Sequence, residues 1–289
     1  MVFDPNTKVL IVGLGLIGGS YAQGLSALGC EVGAIDPNAA SIEFAVRNGM
    51  IRDGRTEPDA TFVSRFDLVV FALYPHTFLE WLEKYQHMLR PGALLTDTTG
   101  IKGGIVHRIQ EMLRNDLEFI GAHPMAGREV SGVENASREI FRGANYIVTP
   151  TEKNSPEAVE RCKALGRALG FGNVSILSPE AHDEMIAFLS QLTHCIAVAL
   201  MTCRDSGGLI EYTGDSFRDL TRIAKINDRM WSELFLLNRE PLLREMDLFA
   251  AEFRRLRSAV AGGDTETIRS MMRLSTQRRK DFDHKEENV

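Results

Sequence analysis

The feature that most constrains the fold is a glycine-rich loop that directly follows a short apolar run. The run is VLIV at Val9–Val12, the loop reads GLGLIG at Gly13–Gly18, and a helical pattern then continues to about Leu28. A second apolar run, Glu31–Ile35, ends at Asp36. Because parallel strands need a crossover connection, this succession predicts a βαβ unit with both strands buried.

The loop also predicts a dinucleotide site, since it fits G-x-G-x-x-G between a strand and a helix. Gly13 permits the tight turn, Gly15 lets the backbone approach a pyrophosphate, and Gly18 allows close packing of helix and strand. Asp36 is expected to bind the adenosine ribose hydroxyls and to repel a 2′-phosphate, which predicts NAD rather than NADP. The alternative is that the glycines serve only a turn. The predicted cofactor contacts in this unit are Gly13, Gly15, Leu16, Ile17, Gly18 and Asp36.

Short apolar runs alternating with helical patterns continue as far as Leu177. Of the 25 glycines, 20 lie in residues 1–177, as do 8 of the 10 prolines, which is typical of short elements joined by tight turns. The alternation predicts an α/β fold with a doubly wound, Rossmann-type sheet. The further strand candidates are Leu68–Leu73, Ala93–Thr96, Phe119–Ile120, Tyr146–Val148 and Val174–Leu177.

Residues 178–289 hold few turn-forming residues and are predicted to be all-helical. Apolar residues between Met185 and Cys203 recur at helical spacing, and a longer pattern runs from about Asp228 to Val260, with a kink expected at Pro241. Long helices with few turns commonly pack into a bundle that two subunits share. The chain is therefore predicted to have a dinucleotide-binding domain at 1–177 and an all-helical substrate and dimerisation domain at 178–289.

Composition and charge exclude several classes of protein. The chain is 44% hydrophobic and 25% charged, as in ordinary globular proteins. Lys and Arg number 17 against 20 Asp and Glu in residues 1–177, and 16 against 19 in residues 178–289, so we expect no nucleic-acid or membrane partner. No uninterrupted apolar run reaches about 18 residues, and the N-terminus lacks a signal-peptide pattern. Four cysteines without a C-x-x-C pair indicate reduced thiols in a cytoplasmic protein, and no metal site is predicted.

Two polar segments follow predicted strands, at the sheet edge where doubly wound proteins bind ligands. In Asp97–Gly103 (DTTGIKG), the hydroxyls of Thr98 and Thr99 are candidates for holding the nicotinamide or the substrate, and an ordinary turn is the alternative. In GAHPMAG, His123 lies between small residues and a rigid proline, which favours a catalytic role over a structural one.

Polar residues on otherwise apolar helices supply the remaining candidates. Ser190 and His194 share one helix face within an apolar stretch, and buried polar groups need a partner. Arg218 and Arg222 are one turn apart and suit a substrate carboxylate, which arginine binds in bidentate fashion. The alternative for this pair is a solvated surface with an Asp219–Arg222 ion pair.

Four segments together resemble the prephenate dehydrogenase family, in the expected order and over nearly the whole chain. They are GLGLIGGS at Gly13–Ser20, GAHPMAGRE at Gly121–Glu129, SQLTH at Ser190–His194 and FRDLTRIA at Phe217–Ala224. The resemblance implies a dinucleotide domain followed by an all-helical dimerisation domain, a homodimer, and a place in tyrosine biosynthesis.

The resemblance further implies an NAD-dependent oxidative decarboxylation of prephenate to 4-hydroxyphenylpyruvate. The family's catalytic histidine corresponds to His123, which accepts a hydrogen bond from the C4 hydroxyl, and its carboxylate-binding arginine corresponds to Arg222. His194 corresponds to a histidine near the pyruvyl side chain, with Ser190 beside it, and Glu129 to an acidic residue near the site entrance.

The sequence departs from the family pattern in two places. Gly100 stands where the family usually has a serine, so the hydroxyl that assists His123 is missing there, and Thr98 or Thr99 is a candidate to replace it. Gln191 and Thr193 stand where the helical motif more often has histidine and proline.

Other activities remain open at this point. Some family members use arogenate, whose side chain carries an amine in place of the keto group. Another NAD-linked hydroxyacid dehydrogenase or imine reductase also combines a Rossmann domain with helices. A non-catalytic NAD-sensing regulatory protein is a more remote alternative.

Overall fold

An eight-stranded sheet forms the centre of the first part of the chain. The computed structural model describes residues 2–205 and 207–283. All but one of the strands were predicted from apolar runs. The strands are β1 (Val9–Val12), β2 (Val32–Ile35), β3 (Asp53–Arg55), β4 (Leu68–Phe71), β5 (Leu94–Asp97), β6 (Glu118–Met125), β7 (Asn145–Thr149) and β8 (Asn173–Ile176).

The spatial order of the strands is β3-β2-β1-β4-β5-β6-β7-β8, which confirms the predicted doubly wound sheet. One pairing departs from the parallel arrangement, because β6 and β7 run antiparallel. The segment between them contains two short 3₁₀ turns, Val133–Asn135 and Arg138–Phe141, in place of a crossover α-helix. The strand missed from the sequence, β3, reads DGR and lies at the sheet edge, so it has no apolar run to signal it.

Helices cover both faces of the sheet and create two apolar cores. Alternation along β1 places Val9 and Ile11 in one core and Leu10 and Val12 in the other. All four side chains are buried, which explains why this strand reads as a continuous apolar run. The covering helices are α1 (Leu16–Ala27), α2 (Ala39–Arg47), α3 (Ala60–Val63), α4 (Pro75–Tyr85), α5 (Gly103–Met112) and α6 (Pro156–Ala168).

The chain divides into two compact units, Met1–Arg239 and Glu240–Val289. The first unit also contains α7 (Pro179–Ile186), a π-helical turn (Ala187–Leu192) and α8 (Thr193–Thr202), which follow one another without interruption. The last helices of this unit are α9 (Asp215–Thr221) and α10 (Asp228–Leu237).

The second unit is helical, as predicted for this part of the chain. Its helices are α11 (Arg239–Gly262) and α12 (Thr265–Asp283), and Asp264 caps α12 by accepting a hydrogen bond of 3.0 Å from the Thr267 N–H. The expected single helix kinked at Pro241 is wrong, because the helical pattern breaks at Asn238. Pro241 instead lies in the first turn of α11. Backbone N–H groups in a first turn have no carbonyl acceptor within the helix, so proline is tolerated there.

The continuous helix Pro179–Thr202 corrects the expectation about apolar segments. It is 24 residues long, with a mean hydropathy of 1.7 in its most apolar window, and is long and apolar enough to cross a membrane. Ser190, Gln191 and His194 interrupt the apolar run when residues are counted one by one, but a mean over the window tolerates them. By length and composition alone, one such helix is weak evidence for a membrane.

We expect Gly18→Ala to lower the free energy of unfolding by about 1–3 kcal/mol. A Cβ at Gly18 would lie 1.9 Å from the carbonyl oxygen of Gly13, and neither backbone segment can move away freely. Gly15→Ala is the matched control, because a Cβ there would meet nothing within 4 Å. Urea denaturation of both variants tests this packing, and equal stabilities would contradict it.

Candidate active site

The glycine loop leaves an open approach to the first turn of α1. Gly13 has φ +97° and donates its N–H to the Ile35 carbonyl oxygen at 2.8 Å, which ties the loop to β2. The first N–H groups of α1, including those of Leu16 and Ile17, have no side-chain cap, and the space in front of Gly15 is empty. A helix N-terminus with unpaired N–H groups and room beside it suits a diphosphate.

Asp36 is fixed at the end of β2, beside this loop. Its Oδ2 accepts a hydrogen bond from the Leu14 N–H at 2.6 Å, and its Oδ1 accepts one from the Asn38 N–H at 2.8 Å. Each carboxylate oxygen keeps a second acceptor position, so Asp36 remains able to bind ribose hydroxyls. The loop and the carboxylate together fit an NAD molecule.

The two threonines of the loop after β5 have different environments. Thr98 is half-buried and donates its N–H to the Phe71 carbonyl oxygen at 3.0 Å. Thr99 is only 4% exposed, and its hydroxyl lies 2.9 Å from the Ile101 carbonyl oxygen and against the Asp97 carboxylate. Because this hydroxyl is already engaged inside the protein, the arrangement favours Thr99 as a support for the loop rather than as a substrate contact.

A buried ion pair lies beneath the same loop. Lys102 and Asp97 are both 0% exposed, and the Lys102 Nζ lies 2.6 Å from the Asp97 Oδ2. Asp97 also accepts hydrogen bonds from the Ala122 N–H and the Thr99 N–H, each at 3.0 Å. Burial lowers the pKa of Lys102 below its usual range, although Asp97 opposes this shift. The pair therefore links the loop to β6 one residue before His123.

His123 is placed at the carboxyl end of β6 and contacts a second histidine. Its Nδ1 lies 2.9 Å from the Nε2 of His182, which belongs to α7 and is 0% exposed. Burial lowers the pKa of His123 well below its usual range, and His182 and the Lys102 cation lower it further. At neutral pH the ring is therefore neutral and is able to accept a proton.

His182 is in turn held by its neighbour Asp183. The His182 Nδ1 lies 2.8 Å from the Asp183 Oδ1. The same carboxylate accepts the Lys102 N–H at 2.8 Å and the Gly103 N–H at 2.7 Å, so it caps the N-terminus of α5. One carboxylate thus joins α7 to the loop that carries the buried ion pair.

His194 lies on α8 next to an aromatic ring of α10. Its Nδ1 donates to the Ser190 carbonyl oxygen at 2.8 Å, and its ring stacks on Trp231 with a centroid separation of 3.8 Å. Burial lowers the pKa of His194 below its usual value. The ring is therefore neutral at neutral pH and presents Nε2 as an acceptor, and Ser190 contributes through its backbone.

The two arginines predicted to act together have separate partners. Arg222 is exposed and forms an ion pair with Glu129, which belongs to the segment after His123. Arg218 pairs with Asp215 at 3.2 Å and donates to the Thr213 carbonyl oxygen at 3.1 Å. The structure brings Glu129 and Arg222 together, and their charges have opposite effects on the pKa of His194, which Glu129 raises and Arg222 lowers.

Gln191 and Gly100, where the sequence departs from the family pattern, both lie near Leu234 of α10. Gln191 is 1% exposed, and its amide bonds to the Leu234 carbonyl oxygen at 3.0 Å and to Asn238 at 2.8 Å, so it fastens α10 to the π-helical turn. A Cβ at Gly100 would lie 3.4 Å from the Leu234 Cδ1 and 3.9 Å from the His123 Nε2. A serine hydroxyl at this position would face that nitrogen, and glycine leaves the space open.

Four contributors to the site were not singled out from the sequence: Lys102, His182, Asp183 and Trp231. One signal was available for His182, because extending the spacing between Ser190 and His194 back by two helical turns reaches it. Within residues 2–205 and 207–283, no group of three or more His, Cys, Asp or Glu side chains is arranged to hold a metal ion.

Comparison with known protein families decides which family has this arrangement. Residues 22–174 match the model described as prephenate dehydrogenase, nucleotide-binding domain, and residues 178–274 match the model described as prephenate dehydrogenase, dimerization domain. The chain belongs to the prephenate dehydrogenase family. This confirms the resemblance that the four motifs carried.

Individual relatives agree with this assignment. The prephenate dehydrogenase of Bacillus subtilis is 31% identical over 90% of this chain and 72% of its own length. The cyclohexadienyl dehydrogenase of Zymomonas mobilis is 27% identical over 90% of both chains. The crystal structure of the A. aeolicus prephenate dehydrogenase with hydroxyphenyl propionate and NAD+ is similar with a TM-score of 0.86 and 31% identity, over 96% of this chain and 98% of that one.

We expect Lys102→Met to lower the free energy of unfolding by about 3–5 kcal/mol, because it leaves the Asp97 carboxylate buried without its cation. Lys163→Met is the matched control, since Lys163 pairs with Glu160 at the surface, where solvent screens the charges and loss of the ion pair costs far less. Chemical denaturation measures both variants. Similar losses of unfolding free energy in the two variants would show that the buried ion pair stabilises the protein no more than a surface pair does.

Proposed function

We propose that this chain catalyses the NAD-dependent oxidative decarboxylation of prephenate to 4-hydroxyphenylpyruvate, a reaction of tyrosine biosynthesis. The observation that carries the proposal is the neutral His123 ring, held through Nδ1 at the sheet edge that also bears the glycine loop. The membership of the chain in the prephenate dehydrogenase family supports the same reaction.

The reaction breaks two bonds of the substrate ring. The C4–H bond breaks with its electron pair, the bond from C1 to the carboxylate breaks to release carbon dioxide, and that second electron pair makes the ring aromatic. Bound NAD supplies the electron acceptor for the hydrogen that leaves C4. The product is a phenol, so the oxygen at C4 keeps its hydrogen at the end of the reaction.

His123 stabilises positive charge that develops at C4. Its Nε2 is the nitrogen that does not contact His182, and it is available to accept the hydrogen bond of the C4 hydroxyl. Drawing that proton toward the ring raises the electron density on oxygen as the C4–H bond breaks. The proton returns to the oxygen when the phenol forms, which leaves His123 neutral for the next turnover.

Residues of the helical segment would hold the carboxylate and side chain of the substrate. Arg222 would bind a substrate carboxylate in place of its present partner Glu129. His194 would present its Nε2 to the pyruvyl group. Glu129, at the entrance of the proposed site, would compete with the substrate carboxylate for Arg222. Ser190 fixes His194 through its carbonyl oxygen, and Arg218 adds positive charge one helical turn from Arg222.

The residues that would hold NAD are those around the N-terminus of α1. The N–H groups of the first turn would bind the diphosphate, and Asp36 would bind the adenosine ribose hydroxyls. Thr98 directly follows β5, which is separated from β1 by β4, and it would hold the nicotinamide end of the cofactor.

The proposed domain division is 1–177 for the cofactor and 178–289 for the substrate and dimerisation. A family model named for dimerisation covers residues 178–274, which supports a homodimer formed through the helical part. A cytoplasmic location accords with the four cysteines, all of which are free thiols.

Arogenate is a second candidate substrate. Its side chain carries an ammonium group beside the carboxylate, and the Glu129–Arg222 pair offers one charge of each sign to such a zwitterion. Both candidates contain a cyclohexadienyl ring, the group that gives the Zymomonas mobilis relative its name.

The decisive experiment is an assay of NADH formation with prephenate and arogenate side by side, with NADP as the alternative cofactor. We expect turnover with prephenate and NAD, with one carbon dioxide released per NADH, and little with NADP. His123→Asn is the control, which should retain NAD binding and lose about 10²–10⁴ in kcat. Turnover with arogenate alone would move the assignment to the second candidate, and no turnover with either substrate would overturn it.

The rate is expected to fall at acid pH, because His123 must be neutral. Burial, His182 and the Lys102 cation lower the pKa of His123, so the ring becomes protonated only as the pH falls below about 6.5. The acid limb of kcat should therefore lie below pH 6.5, with full activity above it. A profile of kcat against pH, with circular dichroism to confirm folding at each pH, tests this, and an acid limb centred above pH 7 would contradict it.

A further inference from the structure

Asp183, His182 and His123 form a chain of side-chain contacts in that order, which leaves the Nε2 of His123 outside it. Both separations are short and fall within hydrogen-bond range: Asp183 Oδ1 to His182 Nδ1 is 2.8 Å, and His182 Nε2 to His123 Nδ1 is 2.9 Å. His182 is 0% exposed and Asp183 is 6% exposed, so water does not compete for these contacts. Asp183 and His182 lie on α7, whereas His123 lies on β6.

The chemistry of the donors and acceptors allows one arrangement of hydrogens at neutral pH. Both oxygens of Asp183 accept backbone N–H groups of the α5 N-terminus, and a carboxylate can only accept, so the His182 Nδ1 must donate to it. Burial lowers the pKa of His182, and the Lys102 cation adds to this, although Asp183 opposes the shift. A neutral His182 that donates from Nδ1 has a lone pair on Nε2.

That lone pair determines the tautomer of His123. Two nitrogens at 2.9 Å need one hydrogen between them, so the hydrogen is on the Nδ1 of His123. The Nε2 of His123 then carries the free lone pair, and this is the nitrogen nearest to the open position at Gly100. A histidine without such a partner divides its population between two tautomers, and only one of them accepts a proton at Nε2.

We propose that His182 and Asp183 are positioning residues that hold His123 as the Nδ1–H tautomer, so that its Nε2 accepts the substrate proton. The inference rests on the proposed function only for its kinetic consequence, because the tautomer itself is a property of the free protein. Asp183 also fixes α5 to α7 through the same carboxylate, so the alignment of the two histidines and the capping of α5 depend on one side chain.

Three variants separate this role from a contribution to stability. His182→Leu fills the space without an acceptor, so the tautomer of His123 is no longer fixed. His182→Gln places an amide near the former Nε2, and its oxygen is able to accept the His123 Nδ1–H. His107→Leu is the control, because His107 on α5 also contacts a carboxylate of α7, Glu180 at 2.6 Å, but does not contact His123.

We expect His182→Leu to lower kcat by about 10- to 100-fold, which is less than the whole contribution of a general base. The KM values for prephenate and for NAD should change by less than about threefold. His182→Gln should restore most of kcat, and His107→Leu should keep the wild-type value. A wild-type kcat in His182→Leu, or equal losses in the Leu and Gln variants, would overturn the proposal.

Nitrogen-15 NMR of histidine-labelled protein tests the tautomer without any turnover. In the wild-type protein without ligands, the His123 resonances, assigned by their loss in His123→Asn, should show hydrogen on Nδ1 and none on Nε2. A hydrogen on the His123 Nε2 would overturn the proposal even if the enzyme turns over prephenate. Conversely, an Nδ1–H tautomer in a protein with no dehydrogenase activity would refute the proposed function alone.

Discussion

The rest of the site depends on the hydrogen bonds that the Asp183 carboxylate accepts. It receives two N–H groups from the start of α5 and one from His182, so it joins the helix that follows the cofactor-side loop to the helix that begins the helical segment. Three hydrogen bonds to a nearly buried anion fix direction as well as distance. The position and tautomer of His123 follow from that direction.

Burial and the nearby positive charge of Lys102 keep the His123 ring neutral. Lys102 is fully buried beside it, and its cation disfavours a second positive charge on either histidine. Asp97 prevents Lys102 from being an unpaired charge and, through the Ala122 N–H, fixes the end of β6. The same buried pair therefore stabilises the strand that carries His123 and lowers the pKa of that residue.

Periodicity and local motifs were enough to predict the sheet and the cofactor loop. The loop Gly13–Gly18 lies between a strand and a helix, so its three glycines and Asp36 were readable from adjacent residues. β3 has no apolar run, and the antiparallel pairing of β6 with β7 depends on a connection that no local pattern describes. These two features were accordingly missed.

The site beyond the cofactor loop was predictable only where a residue stood out locally. His123 follows a strand and precedes a proline, and His194 interrupts an apolar helix, so both were found. His182 and Asp183 resemble ordinary polar residues in the first turns of a helix, and their role arises from packing against α5, more than 70 residues earlier in the chain. Trp231 gains its role from stacking on His194, which only the folded chain brings about.

The most direct test of the account is a crystal structure of the protein with NAD and 4-hydroxyphenylpyruvate bound. The phenol oxygen of the product should lie about 2.6–3.2 Å from the His123 Nε2, with the His123 Nδ1 still on His182 and the side-chain carboxylate of the product on Arg222. A phenol oxygen bound by another side chain, or a His123 ring turned so that Nδ1 faces the product, would contradict it.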